Sequence, residues 1–412
     1  MNQKRAHIIS IGHELTHGEI LNTNALHISR ELTQRGIEVQ EILTIPDEYE
    51  SAVVSIQRIL KTSGIFIFTG GLGGTRDDIT RKIISRVLNK KLCIDEKGKH
   101  RLTEWYEKRG RKYDKRDLMQ ASYPEGGRLL ENRNGLAYGF LYRDDEKMIF
   151  SLPGVPDEMK WMFDNEVIPY LEKESSFDSN YQSVLLTFAG IPEYVLDKKV
   201  QKVVSCFSGL SFGTRAGHGI TKVRLESRKE DIGPCIEELK KVLGKHFISM
   251  GESRLEEVVG SLLVKRKLSF SVAESCTGGY VSKLITDISG SSRYFLGGVV
   301  AYSNVIKEGI IEVNEKTLKK YGAVSSKTAI EMAQGVQRRF GSDISLSVTG
   351  VAGPEGGTVS KPVGTVYICV YEKGGKPWVE KYVFPGDREI IRYRTVIQAL
   401  FMLYTILIDK DK

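Results

Sequence analysis

Two residues in the last third of the chain have the types needed for nucleophilic catalysis, a serine and a lysine that could act as its base. Ser275 lies in AESCTGG after the predicted strand LSFSVA, and Lys307 follows the next predicted strand in AYSNVIK. A strand-to-helix turn can present a serine at a sheet edge, with backbone N–H groups at the helix start placed to bind an oxyanion. A lysine whose pKa is lowered by burial can remove the serine's proton. On spacing alone, a turn serine and a surface lysine remain the commoner outcome.

Cys276 is a competing nucleophile in the same turn. A reactive thiolate normally needs a nearby base, and the last histidine of the chain, His246, precedes this segment. An activating base would therefore be a lysine, glutamate or aspartate.

A second glycine-rich stretch and a following arginine are candidates for holding a ligand. VTGVAGPEGGTVSKPVGT (348–365) begins in a predicted strand, and it could wrap a ligand near Thr349 and Gly350 or be a surface loop. Arg388 precedes the last predicted helix and could pair with a phosphate, although a lone arginine is usually structural.

TGGLGGTRDDIT (69–80) is the strongest feature of the first half of the chain. A buried strand ends there, the backbone turns through glycines and a helix begins, an arrangement that suits phosphate binding. The candidate phosphate contacts are Gly70, Gly71, Gly73 and Thr75. Asp77 and Asp78 could hold a divalent cation beside a pyrophosphate. Thr75 and Asp78 also match a helix capping box, which is the structural alternative.

Two other motifs have competing interpretations. HELTH (13–17) matches the HExxH of zinc proteases, but it follows a strand directly and lies between glycines, so a loop is favoured. KRGRKYDKR (108–116) combines basic residues with nearby aromatics, as in single-stranded nucleic-acid binding. A solvated helix face is the more common outcome of such a run.

Composition predicts a soluble, cytoplasmic protein of two or three domains. The 412 residues carry a net charge of +8, which mildly favours anionic ligands and does not require nucleic acid. The 5 cysteines contain no CxxC pair, which excludes a disulfide framework and a zinc ribbon. We find no signal peptide and no apolar run of about 20 residues, so no membrane partner is expected.

Three units should position these motifs. Alternating strands and helices predict an α/β domain over 1–170 with a parallel sheet. A polar, turn-rich segment after residue 170 marks the start of a small α+β connector over 171–252. A second α/β domain follows over 253–412, and it contains a helix with Ser325 as N-cap.

Several stretches resemble the bacterial CinA (competence/damage-inducible) family in order and spacing: TGGLGGTRDD, LPGVPDEMK, AESCTGG, GGVVAYSN, GAVS, VTGVAGP, KPVGTV and GDRE. The resemblance covers nearly the whole chain. It implies an N-terminal molybdopterin-binding-like three-layer α/β domain, an α+β connector and a C-terminal α/β CinA domain. For the C-terminal domain it implies a cofactor-free nicotinamide mononucleotide amidohydrolase. For the N-terminal domain it implies an ADP-ribose pyrophosphatase that uses a divalent metal, with potassium as a further candidate.

The resemblance also assigns residue roles. It implies that Ser275 is the nucleophile and Lys307 its base, that Tyr302 is a third catalytic residue lining the same site, that Thr349 contacts the substrate, and that Arg388 contacts the substrate phosphate. The expected oxyanion donors and substrate contacts of the turn are Thr277, Gly278 and Gly279. Gly12 to Asn24 fit the family signature G-x-E-L-x-x-G-x-I-x-x-T-N, which explains HELTH without zinc, whereas Gly74 and Tyr138 replace prolines usual in the family.

Three expectations about function and partners complete the prediction. The substrates are nicotinamide mononucleotide and ADP-ribose, and a homodimer is expected from the small connector and the free strand edges. The alternatives are a non-catalytic module that binds a nucleotide or molybdopterin, and a competence-related protein associated with nucleic acid. Affinity for nucleic acid would fall steeply with salt concentration.

Overall fold

The computed structural model describes residues 5–75, 78–174 and 180–409. The chain divides into two compact units, Met1–Gln182 and Ser183–Lys412. Each unit has its own sheets and hydrophobic cores.

The strands described in the first unit are β1 (Arg5–Ile11), β2 (Glu38–Ile45), β3 (Gly64–Thr69), β4 (Leu92–Ile94), β5 (Ser122–Pro124), β6 (Arg128–Leu130), β7 (Gly139–Arg143) and β8 (Lys147–Leu152). The main sheet has the order β2-β1-β3-β8-β7-β6, and β4 pairs with β5. Strands β1, β2, β3 and β8 are parallel, whereas β7 is antiparallel to β6 and β8. The sheet is therefore mixed, and the prediction of a parallel sheet is correct only for its first four strands.

The helices described in this unit are α1 (His13–Thr16), α2 (Thr23–Gln34), α3 (Tyr49–Ile59), α4 (Thr80–Val87), α5 (Glu96–Glu107), α6 (Lys115–Leu118), α7 (Pro156–Met162) and α8 (Ile168–Lys173). Alternate residues of β3 face opposite cores. Ile65 and Ile67 pack with residues of α2 and α7, while Phe66 and Phe68 pack with residues of α3 and α4. Helices therefore cover both faces of the sheet, which confirms the predicted three-layer α/β fold.

The remaining described strands form two further sheets. They are β9 (Gln182–Ala189), β10 (Leu210–Gly217), β11 (Ile220–Ser227), β12 (Phe247–Met250), β13 (Phe270–Glu274), β14 (Phe295–Val300), β15 (Ile344–Gly350), β16 (Thr365–Glu372) and β17 (Trp378–Val383). One sheet has the order β10-β11-β9-β12 and the other β14-β13-β15-β16-β17. Strand β13 lies in the sheet interior and is parallel to both neighbours, β14 and β15. Strands β16 and β17 continue the sheet in antiparallel pairs.

The helices described in the second unit are α9 (Glu193–Val204), α10 (Gly233–Leu243), α11 (Leu255–Arg266), α12 (Tyr280–Thr286), α13 (Asn304–Gly309), α14 (Glu315–Tyr321), α15 (Ser326–Phe340) and α16 (Arg388–Asp409). The hydroxyl of Ser325 accepts the Thr328 N–H, so the predicted N-cap of α15 is confirmed. The smaller sheet has a core of its own with α9 and α10. The domain boundaries at 171 and 253 stay predictions.

Helix α16 is the central helix of the larger core. Among the described residues it is long and apolar enough to cross a membrane, but 67% of its most apolar window is buried inside the protein. Its apolar residues pack with β13, β15 and β16. The tyrosine at position 404 donates a 2.9 Å hydrogen bond to the Phe247 carbonyl, which ties α16 to the smaller sheet. The composition of α16 is therefore explained by its place in the core.

Candidate functional site

The nucleophile turn, defined here as residues 275–279, connects the end of β13 to the start of α12. Ser275 is 9% exposed, and its N–H donates a 2.9 Å hydrogen bond to the Val348 carbonyl of β15. Gly278 and Gly279 have φ angles of 58° and 90°. Glycine adopts these angles without strain, so the chain can reverse sharply beside the serine.

Lys307 reaches the turn from α13, although it is 32 residues away in sequence. Its side chain is 1% exposed, and its Nζ lies 3.1 Å from Ser275 Oγ. The same Nζ lies 2.6 Å from the Ala301 carbonyl oxygen and 3.4 Å from that of Tyr302. Burial lowers the pKa of this amine, and the nearby Cys276 acts in the opposite direction. The alternative of a surface lysine is therefore wrong.

Cys276 is not a competing nucleophile in this environment. Its side chain is buried, and burial raises the pKa of its thiol to about 12. The thiol therefore stays protonated near neutral pH, where only the thiolate reacts readily. The hydroxyl of Ser275 is the group of this turn that contacts the Lys307 amine.

Several backbone N–H groups near the turn are already engaged. The Gly278 N–H donates 3.1 Å to the Ser275 carbonyl inside the turn. The N–H groups of Val281 and Ser282 donate to the buried Glu274 carboxylate at 3.0 and 2.8 Å. In the described part of the chain, no acceptor is found for the N–H groups of Thr277 and Gly279. These two groups are the candidate oxyanion donors among those selected from the sequence; for the Cys276 N–H, too, no acceptor outside its own residue is found in the described part of the chain.

Tyr302 and Arg388 meet at the outer side of this site. Tyr302 is 62% exposed, and Arg388 Nη2 donates a 3.0 Å hydrogen bond to its phenol oxygen. Arg388 Nη1 donates 2.7 Å to the carbonyl of Gly353, in the glycine-rich loop after β15. Arg388 is exposed, so its charge is accessible to an anionic ligand.

Thr349 and Gly350 hold the end of β15 in place. The Thr349 hydroxyl is buried and donates 2.7 Å to the Ala323 carbonyl. Its proton is therefore used inside the protein, and no donor remains for a ligand. A side chain at Gly350 would collide with Val366 and the Thr365 carbonyl, so glycine is required there for packing.

Sequence analysis did not select Glu274 and Arg392. Glu274 directly precedes Ser275 and accepts three hydrogen bonds from Val281 and Ser282 at the start of α12. Arg392 Nη2 donates 2.6 Å to the Thr277 carbonyl. A signal for Arg392 existed, because it lies four residues after Arg388, and this spacing puts both arginines on one helix face.

The first unit has a cleft of about 740 Å³ at the carboxyl ends of β1 and β3. This is the edge at which open α/β sheets bind ligands. The predicted contacts Gly70, Gly71, Gly73 and Thr75 all line it, and so do the carboxylates of Glu14, Asp47, Asp78 and Glu158. The structure thus brings the predicted phosphate loop to a ligand-sized cleft.

Asp78 closes a turn with Thr75 ahead of the helix. Its carboxylate accepts the Thr75 N–H at 2.7 Å and the Thr75 hydroxyl at 2.6 Å. Helix α4 begins only at Thr80, so the prediction of a helix capped by Thr75 is wrong; of the two hydrogen bonds of a capping box, only the one from the Thr75 N–H to the Asp78 carboxylate is present. The predicted metal ligand Asp77 lies outside the described residues. Within the described ranges, no three His, Cys, Asp or Glu residues are grouped to hold a metal ion.

A buried arginine beside this loop was missed by sequence analysis. Arg81 is 4% exposed, and its Nη2 donates 2.9 Å to the Gln120 carbonyl. Its Nε and Nη1 are buried without a partner among the described residues. Burial lowers the pKa of Arg81 to about 9, so it stays charged near neutral pH. It lines a small cavity of about 130 Å³ with Gly71, Gly73, Thr75, Lys82 and Arg116.

The remaining motifs have specific local structures. His13–Thr16 forms a four-residue helical turn where a loop was expected, and His13 Nε2 lies 3.0 Å from an Asp47 oxygen. The basic run 108–116 does not form the expected helix face, because α5 ends at Glu107. Within this run Arg109 lies 4.1 Å from the Trp105 ring centre and covers that ring.

Two family descriptions match this chain. The CinA C-terminal domain matches residues 252–407, and the probable molybdopterin binding domain matches residues 7–173. A CinA-like protein of Dictyoglomus thermophilum is 40% identical over 407 residues, which cover 97% of this chain and 98% of that relative. A putative competence-damage inducible protein of Clostridium beijerinckii is 38% identical over 411 residues, covering 98% of this chain and 100% of the relative.

Solved structures match parts of the chain. A competence-damaged protein (CinA) superfamily protein from Klebsiella pneumoniae is 30% identical, covers 38% of this chain and 99% of its own, and has a TM-score of 0.37. The protein CinA, of unknown function, from Thermoplasma acidophilum is also 30% identical. It covers 42% of this chain and 99% of its own, with a TM-score of 0.37.

The fold and the two sites define a protein in which a molybdopterin-binding-type α/β unit is joined to a second unit with a buried serine–lysine pair. The full-length relatives place it more closely. The chain belongs to the CinA family. The family resemblance inferred from the motifs is thereby confirmed.

Proposed function

We propose that the C-terminal domain hydrolyses the carboxamide of nicotinamide mononucleotide to give nicotinate mononucleotide and ammonia. The observation that carries the proposal is the 3.1 Å contact between Lys307 Nζ and Ser275 Oγ in a buried setting. A buried amine that touches a serine hydroxyl is suited to act as a general base. The choice of this substrate rests on membership of the CinA family.

The three contacts of Lys307 fit an ammonium, which donates to all three oxygens, and they also fit the neutral amine that the proposed reaction needs. A neutral amine has two N–H donors and one lone pair. The carbonyl oxygens of Ala301 and Tyr302 can only accept, so they take the two N–H groups. The lone pair is then left for the Ser275 hydroxyl, which donates its proton along the 3.1 Å contact. Burial favours this neutral form by lowering the pKa of the amine.

The proposed reaction has two halves. Ser275 Oγ attacks the amide carbon while Lys307 takes the hydroxyl proton, and the N–H groups of Thr277 and Gly279 bind the oxyanion that forms. The C–N bond then breaks as Lys307 returns the proton to the leaving nitrogen, releasing ammonia. A water molecule, deprotonated by Lys307, attacks the acyl ester, and the proton goes back to Ser275. In comparable sites, one N–H group that binds the oxyanion stabilises the transition state by about 3 kcal/mol.

The mouth of the site supports a phosphorylated substrate. Arg388 is exposed and is held by Tyr302 and Gly353, so its charge is placed before a ligand arrives. Guanidinium groups bind phosphates well because their N–H groups match the spacing of phosphate oxygens. Arg388 is accordingly proposed to bind the substrate phosphate.

Ammonia release from nicotinamide mononucleotide tests the proposal. We expect turnover by the intact chain, loss in Ser275→Ala and loss in Lys307→Met. Lys283→Met is the matched control, because Lys283 is an exposed lysine that pairs with Asp287. Turnover that persists in Ser275→Ala would show that Ser275 is not the nucleophile. Turnover that persists in Lys307→Met would show that Lys307 is not its base.

A second activity is proposed for the first unit, namely hydrolysis of ADP-ribose to AMP and ribose 5-phosphate. The observation that favours it is Arg81, which lines the cavity of the glycine loop and has two buried nitrogens without a hydrogen-bond partner among the described residues. A buried cation with free donors is matched by an anionic group such as a pyrophosphate.

The carboxylates of this cleft suit a hard divalent cation, which proteins often bind through one or two carboxylates together with substrate phosphates. Asp78 and Glu14 line the cleft and would hold such an ion, which would neutralise charge on the pyrophosphate. Product analysis with and without chelator tests the activity. Tight binding of ADP-ribose without product would instead favour a non-catalytic binding module.

A further inference from the structure

Arg392 contacts the nucleophile turn from outside it. Its Nη2 donates a 2.6 Å hydrogen bond to the Thr277 carbonyl, and its guanidinium lies 5.8 Å from the ring centre of Tyr280. We propose that Arg392 is a positioning residue that holds the nucleophile turn in the conformation Ser275 needs to react. This inference rests on the amide hydrolysis proposed above.

The turn has little else to hold its middle in place. Gly278 and Gly279 both have positive φ, and glycine has the widest backbone freedom. The hydroxyl of Thr277 is buried without a partner among the described residues, so this side chain does not anchor its own backbone. The hydrogen bonds from Gly278 and Tyr280 to carbonyls of the turn are local to it. Arg392 therefore adds a tie to a separate element, α16.

Arg392 itself is held on a rigid support. Helix α16 has 22 residues, and Ile391 and Val396 on either side of Arg392 are buried in the core. Arg388, one turn earlier on the same helix, makes the contacts at the mouth of the site. One helix thus carries both the residue proposed to bind the substrate phosphate and the residue proposed to hold the turn.

The contact acts on the peptide between the two proposed oxyanion donors. A hydrogen bond to the Thr277 carbonyl fixes the plane of the Thr277–Gly278 peptide, which lies between the Thr277 and Gly279 N–H groups. A tilt of this plane would move the donors relative to Ser275 Oγ. The hydrogen bond from Arg392 goes to the backbone of the turn, so its loss should slow the chemical step while substrate binding stays intact.

The test compares Arg392→Ala and Arg392→Lys with the control Arg394→Ala. Arg394 lies on the same helix and donates to the Pro385 carbonyl, away from the turn. We expect kcat for nicotinamide mononucleotide to fall about 10- to 100-fold in Arg392→Ala, with KM within about threefold of the wild type, as for misplacement of a catalytic group. Arg392→Lys should also be impaired, because an ammonium does not reproduce the planar fork.

Two further readouts separate positioning from folding and from the choice of substrate. Millimolar guanidinium ion should restore part of the rate of Arg392→Ala, which a misfolded protein would not show; Tm is measured alongside. A fluorophosphonate reports on Ser275 without the nucleotide, because Oγ bonds to phosphorus and fluoride leaves. Its reaction with Ser275 should slow in Arg392→Ala by a factor similar to that for kcat.

Each outcome bears on a defined claim. Equal rates of fluorophosphonate reaction in wild type and Arg392→Ala would overturn the positioning role. The role would also be overturned if Arg394→Ala lost as much kcat and as much Tm as Arg392→Ala. A wild type that reacts with the fluorophosphonate and releases no ammonia would refute the proposed substrate, while the comparison of rates still decides the role of Arg392. A wild type inert to both reagents would refute both proposals.

Discussion

Tyr302 and Arg388 are 86 residues apart in sequence and are joined by a 3.0 Å hydrogen bond from the guanidinium to the phenol oxygen. The backbone carbonyl of Tyr302 lies 3.4 Å from the Lys307 amine. Tyr302 therefore links the arginine proposed to bind the phosphate with the base proposed to activate the serine. Arg388 bonds to the exposed phenol and Lys307 to the backbone carbonyl, so a change at Arg388 can affect substrate binding while the base stays in place.

Arg388→Gln should raise KM for nicotinamide mononucleotide about 10- to 100-fold, because a hydrogen bond to a charged group contributes about 1.5–3 kcal/mol. The effect on kcat should be small, since the hydrogen bonds of Arg388 go to Tyr302 and Gly353. Nicotinamide riboside lacks the phosphate, so wild type and variant should process it with similar kcat/KM. Steady-state ammonia release measures both substrates, and an equal loss on both would argue against a phosphate contact.

The deamidation rate should rise with pH. Only the neutral Lys307 amine can accept the serine proton, so below its pKa the rate falls about tenfold per pH unit. Burial lowers this pKa from its ordinary value of 10.5, and the midpoint of the rise in kcat/KM should therefore lie below that value. Lys307→Arg should be inactive at every pH, because a guanidinium does not lose its proton in this range. A rate that falls between about pH 6 and about pH 9 would contradict the assignment of the base.

Cys276→Ala should keep kcat within about twofold of the wild type, since a thiol held protonated by burial has no part in the reaction. Iodoacetamide should leave Cys276 unmodified in the folded protein at neutral pH, because burial raises the pKa of its thiol to about 12. The exposed Cys206 provides an internal positive control for alkylation. Peptide mass spectrometry reads out both sites, and rapid alkylation of Cys276 with loss of activity would reopen the question of the nucleophile.

Arg81→Met should weaken ADP-ribose binding about tenfold or more, as expected for the loss of a charged hydrogen-bond partner, and should leave ammonia release unchanged. Titration calorimetry with ADP-ribose measures the first effect. Arg81 also donates to the Gln120 carbonyl, so Tm is compared with that of Arg81→Lys to detect a folding defect. Arg86→Gln on the same helix is the control, because Arg86 is exposed and pairs with Glu50. If a folded Arg81→Met variant bound ADP-ribose with unchanged affinity, Arg81 would not be part of the ligand site.

Local sequence patterns were sufficient for most of the elements and for the family. The strand that ends at TGGLGGTRDDIT and the cap at Ser325 depend on neighbouring residues, so they could be predicted directly from the sequence. Where a local pattern was compatible with two structures, the prediction from it was wrong. The basic run 108–116 has the composition of a helix face, yet α5 ends before it.

The sequence by itself determined the α/β class, the family, and the presence of a serine and a lysine that could form a nucleophile–base pair. Tertiary structure alone decided that the lysine is buried against the serine, that Cys276 is held protonated, and that Arg81 and Arg392 contact the two sites. The physical reason is that desolvation and hydrogen-bond pairing depend on side chains and carbonyls that lie far away along the chain. Only the packing of the strands and helices brings those groups within reach of one another.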